Sequence, residues 1–227
     1  MTDPRAFVSA VFALCLALAA ATPAIAETPG ERLFFEGALR EVPPGTAIVY
    51  GHIREGTRAD PNTQLIADGE IEVRLRLDAT GAREAQVAMS SGGQLRELNP
   101  FPASTGNPLL MVFLESSLRS MAAITGGSQF YIRNRMKDAL FRGGELSDVS
   151  VVFKDEVIAA EQIVFRPFSE DKNRDRMGDF ADLELRFVLS DQAPGGFILF
   201  SASTPTRDGE EAAYREEITF LDAREEG

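Results

Sequence analysis

The sequence has no tryptophan, a single histidine, a single cysteine and three lysines. The cysteine, Cys15, lies inside an apolar run from Ala6 to Ala20, preceded by Arg5 and followed by Ala24-Ile25-Ala26, the small-x-small pattern of a cleavage site. That run is shorter than the roughly 20 residues a helix needs to span hydrocarbon. It reads as a secretory signal peptide, residues 1–26, cut after Ala26. No twin arginine is present, which points to an unfolded, Sec-type route, and Leu14 stands where a lipoprotein signal wants a small residue before its cysteine. The expected mature chain, 27–227, is one domain without a thiol. Disulfides, thiolate nucleophiles and cysteine metal sites are excluded together. No later apolar run is long enough to cross a membrane.

The scarcity of histidine narrows the chemistry further. His52, in Tyr50-Gly51-His52-Ile53, falls on a predicted strand and is expected to be structural or half-exposed. No Gly-x-Ser-x-Gly elbow, no His-Glu-x-x-His and no phosphate-binding glycine spacing occurs. Ser169-Glu170-Asp171-Lys172 matches Ser-x-x-Lys only in letters, because it lies in a polar loop rather than at a helix start. Asp171, Asn173, Asp175, Asp179 and Asp182 fall at calcium-loop positions, but Arg176 stands where the sharp turn requires glycine, and Lys172, Arg174 and Arg176 cancel the charge a cation needs. The expectation is a non-enzymatic protein with no cofactor and no metal. A net charge of −12 excludes nucleic acid as a natural partner.

What is present is period-two alternation. From Glu70 to Leu77, Ile71, Val73, Leu75 and Leu77 face one side and charges the other, the mark of an antiparallel strand with one wet face. Asp78–Gly81 is a turn, and Ala85, Val87 and Met89 continue the buried row on the return strand. Strands are also expected at 46–54, just after Gly92-Gly93, and at 147–153, 156–166, 180–189, 197–203 and 213–220. The strand at 156–166 is apolar on both faces, which predicts a central place in the sheet beneath the helices. A short helix is expected from Glu31 to Arg40, stopped by Pro43-Pro44.

Between the two groups of strands the period changes to that of helices. Asn107-Pro108 opens the first, whose Leu110, Phe113, Leu114, Leu118, Met121 and Ile124 cover nearly half its circumference; Gly126-Gly127 ends it. Ser128 caps a second helix running to about Phe141. Residues 119–142 carry net +4, with Asp138 the sole acid, leaving −16 for the rest of the chain. Arg133 and Lys137 flank one edge of the stripe Ile132, Met136, Ala139, Leu140, and Arg135 and Arg142 lie on the other side. Basic residues bordering an apolar stripe suit peripheral contact with an anionic membrane surface; the alternative is a core-facing stripe with solvated arginines paired with the acidic strands. The element order, with one sheet and two helices inserted midway, is α+β in a single domain.

A short amino-terminal helix, a long antiparallel meander and a midway helical insertion in an exported chain together resemble the half-barrel family of envelope proteins, the LolA-type periplasmic lipoprotein carriers. The resemblance implies a strongly curved sheet of about nine strands whose concave face is plugged by the helices. It implies a periplasmic carrier of an acyl chain or other hydrophobic ligand. Phe113, Leu114, Leu118 and Met121 are expected to line the pocket. Arg133, Arg135, Lys137 and Arg142 are expected to meet an anionic headgroup. The alternative is a ligand-free interaction or structural protein of the envelope, in which the same residues close an ordinary core.

Overall fold

The computed structural model describes residues 27–56, 69–206 and 211–225. The predicted signal peptide, its cleavage site and part of the predicted connection at 204–211 lie outside the described residues. The elements are α1 (Pro29–Leu33), β1 (Thr46–Glu55), β2 (Gly69–Leu77), β3 (Arg83–Ser91), β4 (Gln94–Glu97), β5 (Phe101–Pro102), α2 (Leu109–Thr125) and α3 (Gln129–Arg142). There follow β6 (Glu145–Phe153), β7 (Glu156–Phe165), β8 (Glu184–Leu189), β9 (Phe197–Ser203) and β10 (Arg215–Glu225). The fold is α+β: one open, curved antiparallel sheet of ten strands with two long helices inserted between β5 and β6.

The alternation at 70–77 produces the register it predicts. Ile71, Val73 and Leu75 pair with Met89, Val87 and Ala85 across β2 and β3, and all six are buried. The turn between them is held by the Asp78 carboxylate, which accepts from the backbone N–H of Thr80 and of Ala82 at 2.8 and 2.9 Å. Leu77, expected in the buried row, is 54% exposed, because its partner is Arg83 at the turn and the row there runs past the core. The first helix is also shorter than predicted. A Thr28–Glu31 capping box starts it at Pro29, but it ends at Leu33, and Gly37 then takes φ 96°, which a right-handed helix cannot continue.

Strand order is β4-β3-β2-β1-β10-β9-β8-β7-β6, with β5 also pairing β3. The first and last strands therefore meet in the middle, and β4 and β6 form opposite edges. The chain leaves one edge after β5 and must re-enter at the other edge with β6, so the α2–α3 hairpin has to cross the sheet. It does so over the buried face. Leu109, Leu110, Phe113, Leu118 and Met121 of α2 join Ile132, Met136 and Leu140 of α3 and the inward rows of the strands in one core. The ring of Phe113 lies 5.7 Å from Phe187 and 5.6 Å from Phe200. Gly126, in the left-handed region at φ 67°, ends α2, and Ser128 accepts from the Tyr131 N–H to start α3.

The curvature is steep at the β6 side. Strands four places apart in a flat sheet would stand about 19 Å apart, yet Phe153 at the β6–β7 tip lies 4.9 Å from Phe220 of β10, and the Lys154 ammonium lies 3.9 Å from Asp222. Strand β7 is not central, as its two apolar faces predicted, but next to the edge. Its apolar rows serve two clusters instead. Ile163 and Phe165 belong to the main core, while Ile158 and Ala160 pack with Val188, Ala193 and Ile198 in a smaller cluster. Residues 180–182, predicted as the start of a strand, belong instead to a 3₁₀ turn, Gly178–Asp182, leading into β8. Among the described residues no helix is long and apolar enough to cross a membrane.

Candidate functional site

The inward rows of the two central strands carry charges among their apolar residues. On β1 the row runs Ile48, Tyr50, His52, Arg54; on β10 it runs Glu216, Ile218, Phe220, with Tyr214 just before. Register places His52 opposite Ile218 and Arg54 opposite Glu216. Helix α2 lies above with Ser116, Ser117 and Ser120, small hydroxyl residues that are all buried. The result is a carboxylate with no solvent exposure surrounded by donors. Glu216 Oε1 accepts from Ser116 Oγ at 2.6 Å and from Arg54 at 2.9 Å, and meets His52 Nε2 at 2.9 Å. Its other oxygen accepts from the Tyr214 hydroxyl and from Ser117 Oγ at 3.4 Å.

Burial alone would drive this carboxyl's pKa upward. The hydrogen bond with His52, the charge of Arg54 and the Ser116 hydroxyl outweigh it and hold the pKa at about 2. Burial and the neighbouring Glu216 charge push the Tyr214 phenol well above its ordinary range. Arg54 is raised because the Glu216 charge overcomes the cost of burying the guanidinium. Glu216 and Arg54 thus stay a charged pair, and the cluster ties α2 to β1 and β10. Its connectivity differs from that of an activated nucleophile, since the Ser116 hydroxyl donates to the carboxylate and not to the imidazole. No group of three or more His, Cys, Asp or Glu side chains placed to hold a metal ion occurs among the described residues. Of the residues at calcium-loop positions, Asp171 accepts the Tyr131 hydroxyl at 2.8 Å and Asp182 pairs with Arg174 at 2.7 Å.

Beside the cluster lies a cavity of about 360 Å³ between α2 and the β1–β3 side of the sheet. Ile71, Met89, Leu98, Phe101, Met111, Val112 and Ile218 give it an apolar lining; Arg96, Glu115 and Arg119 complete its wall. His52, Ser116 and Glu216 form its polar end. His52 is 4% exposed, and its Nδ1 is buried with no hydrogen-bond partner among the described residues. An unsatisfied buried nitrogen carries a desolvation cost that the rest of the cluster offsets.

A second space, a groove of about 310 Å³, lies between α2 and α3 and reaches α1. Phe34, Met111, Leu114, Leu118, Met136, Leu140 and Phe141 line it, with Arg133, Lys137 and Glu115. Met111 and Glu115 belong to both spaces, so these two side chains form part of the partition.

The structure distributes the expected site residues over three places. Phe113 and Met121 are buried in the core, 0% and 1% exposed, while Leu114 and Leu118 line the groove. Arg133 and Lys137 also border the groove. Arg135 and Arg142 line a separate polar recess with Asp138, Glu145 and Arg166. Arg133 pairs with Glu115 at 3.0 Å, and Asp138 pairs with both Arg135 and Arg142, at 3.0 and 3.4 Å. The cavity draws instead on α2 positions 111, 112, 115, 116 and 119, one step round the helix from the predicted face.

No protein-family model and no curated protein matches the chain. Among solved structures, the lipoprotein LppX of Mycobacterium tuberculosis is similar at 9% identity, with a TM-score of 0.32, over 77% of this chain and 84% of that one. A β-barrel-like protein of a domain family of unknown function from Brucella abortus is similar at 10% identity, with a TM-score of 0.20, over 78% of this chain and 96% of that one.

Proposed function

We propose that this chain is an exported, periplasmic envelope protein that binds a hydrophobic ligand between α2 and the curved sheet, in the manner of half-barrel carriers. The observation that carries the reading is the cavity of about 360 Å³ with an apolar lining and the polar end formed by His52, Ser116 and Glu216. That volume lies in the range of small-molecule sites, about 300–1,000 Å³, and corresponds to the liquid volume of about twelve waters. A chain of methylene groups suits the lining. Leu114 and Leu118, placed in the neighbouring groove, extend the apolar surface beyond the Met111–Glu115 partition. In this reading residues 1–26 are removed on export.

The test is organic extraction and mass spectrometry of the purified protein, followed by displacement of a fluorescent fatty-acid analogue. Met89→Trp fills the cavity from the sheet side, and in a chain without tryptophan it also places a single reporter there. Probe binding to the parent protein that drops at least ten-fold in Met89→Trp, with unfolding little changed, supports the proposal. A protein that binds no probe and yields no extractable ligand refutes it.

The ligand-free interaction protein is the second reading, and the tight core around Phe113 and Met121 favours it. It expects Met89→Trp to raise stability by filling empty space, with no binding to lose.

A further inference from the structure

We propose that the outward stripe of α3, together with the groove beside it, docks on an anionic lipid surface. Phe130 and Phe141 are 72% and 63% exposed, although large aromatic side chains ordinarily find cover. They stand eleven residues apart, which a helix turns into neighbouring angles on one side at a separation of about 16 Å. Arg133 and Lys137 lie between them on the same side, both exposed. The adjoining face of the helix, with Ile132, Met136 and Leu140, is buried against the core. The apolar surface continues from Phe141 to Phe34, whose rings stack at 5.8 Å, and across the groove to Met111, which is 56% exposed.

Charge selects the occupant. From Leu109 to Arg142 the hairpin carries five basic residues against Glu115 and Asp138, net +3, in a chain of net charge −12. An anionic surface would attract this hairpin while the rest of the protein is repelled, which fixes the orientation. Two aromatic residues bracketing two cations on one stripe place rings at the acyl boundary and long basic side chains among the headgroups. Among the described residues Arg133 pairs with the half-exposed Glu115, an ion pair weak enough to exchange for a lipid phosphate. Lys137 has no ion pair among the described residues.

The experiment is co-sedimentation of the purified protein with vesicles of phosphatidylcholine alone, or of phosphatidylcholine with phosphatidylglycerol as the minor component. Pelleting with the mixed vesicles at low salt, lost at high salt and absent with the neutral vesicles, is the expected result. Phe130→Ser should lower the partition about ten-fold and Lys137→Gln about five-fold; both positions are exposed, and circular dichroism checks that the fold is kept. Failure to pellet, equal pelleting with neutral vesicles, or variants that bind like the parent overturns the proposal. So does a light-scattering measurement in which Phe130→Ser converts a dimer to a monomer, because the stripe would then be covered by a second copy. Met89→Trp should leave vesicle binding unchanged, which separates this surface from the ligand cavity.

Discussion

Replacing Glu216 by glutamine tests whether the buried charge cluster holds α2 to the sheet. The substitution keeps the size of the side chain and removes the charge that Arg54 and His52 face. The carboxyl titrates at about 2 in the folded protein against an ordinary value of 4.5, and that gap corresponds to about 3 kcal/mol. Losing one member of a buried ionic group costs about 3–5 kcal/mol, a large part of the roughly 5–15 kcal/mol that keeps a domain folded. The sign follows from the direction of the shift. Because the folded value is the lower one, the stabilisation is complete above pH 4.5 and is lost as pH falls towards 2. Glu216→Gln has nothing to titrate there, and the protein's other carboxyls change both proteins alike. Urea unfolding followed by far-ultraviolet circular dichroism should therefore show a deficit of about 3 kcal/mol at neutral pH that narrows progressively below pH 4.5. A deficit below about 1 kcal/mol, or one that stays constant into acid, would refute the assignment. The double variant Arg54→Met with Glu216→Leu should recover much of the loss, since it removes the buried charges together.

Two further substitutions probe the frame around the site. Gly30→Ala places a Cβ 2.3 Å from the Leu140 carbonyl oxygen of α3, so α1 must shift off α3 and the urea midpoint should fall, at a cost of about 1–3 kcal/mol; an unchanged midpoint would mean that the two helices are not in close contact. At the β6–β7 tip, Lys154 and Asp155 both adopt positive φ, 49° and 66°, so Asp155→Gly should stabilise by about 0.5–1 kcal/mol after the entropy of the added glycine is set against the strain removed. Thermal melting resolves a change of that size, and a lower melting temperature would contradict it.

The local elements were legible wherever one periodicity ruled. Ile71 to Leu75 and Ala85 to Met89 alternate cleanly because that part of the sheet has one wet face. The start of each inserted helix was marked by a polar residue, Asn107, whose side chain accepts from the Leu109 N–H at 3.0 Å, and Ser128, which caps α3. Partner choice was not legible, because nothing in the pattern of 46–55 or 215–225 states that these strands, far apart in the chain, pair in the middle of the sheet. The cluster left a fainter signal. Glu216 shares the inward phase of Ile218 and Phe220, and His52 and Arg54 share that of Ile48 and Tyr50, so charges stand where apolar residues are expected. In β1 that signal was masked, since Ala47 and Val49 on the other face are buried as well. On α2, Ser116, Ser117 and Ser120 look like gaps in an apolar face until a carboxylate is found beneath them. The cavity depends on where the helix stops rotating against the sheet, and the identical side chains serve equally to fill a core or to border an empty space.

The meeting of β1 and β10 in mid-sheet has a consequence for how the chain acquires its shape. Thr46 pairs with Glu225, so the central seam closes only when the chain as far as β10 is present. A chain emerging amino-end first from a ribosome can assemble the β1–β4 wing and the helical hairpin, but these have no completed floor until β10 arrives. The Glu216 carboxylate arrives with that last strand, so His52 and Arg54 wait on the nascent wing without it. Long-range pairing of this kind makes for slow maturation, and a truncation removing only the final strand would leave two half-sheets rather than a slightly smaller domain.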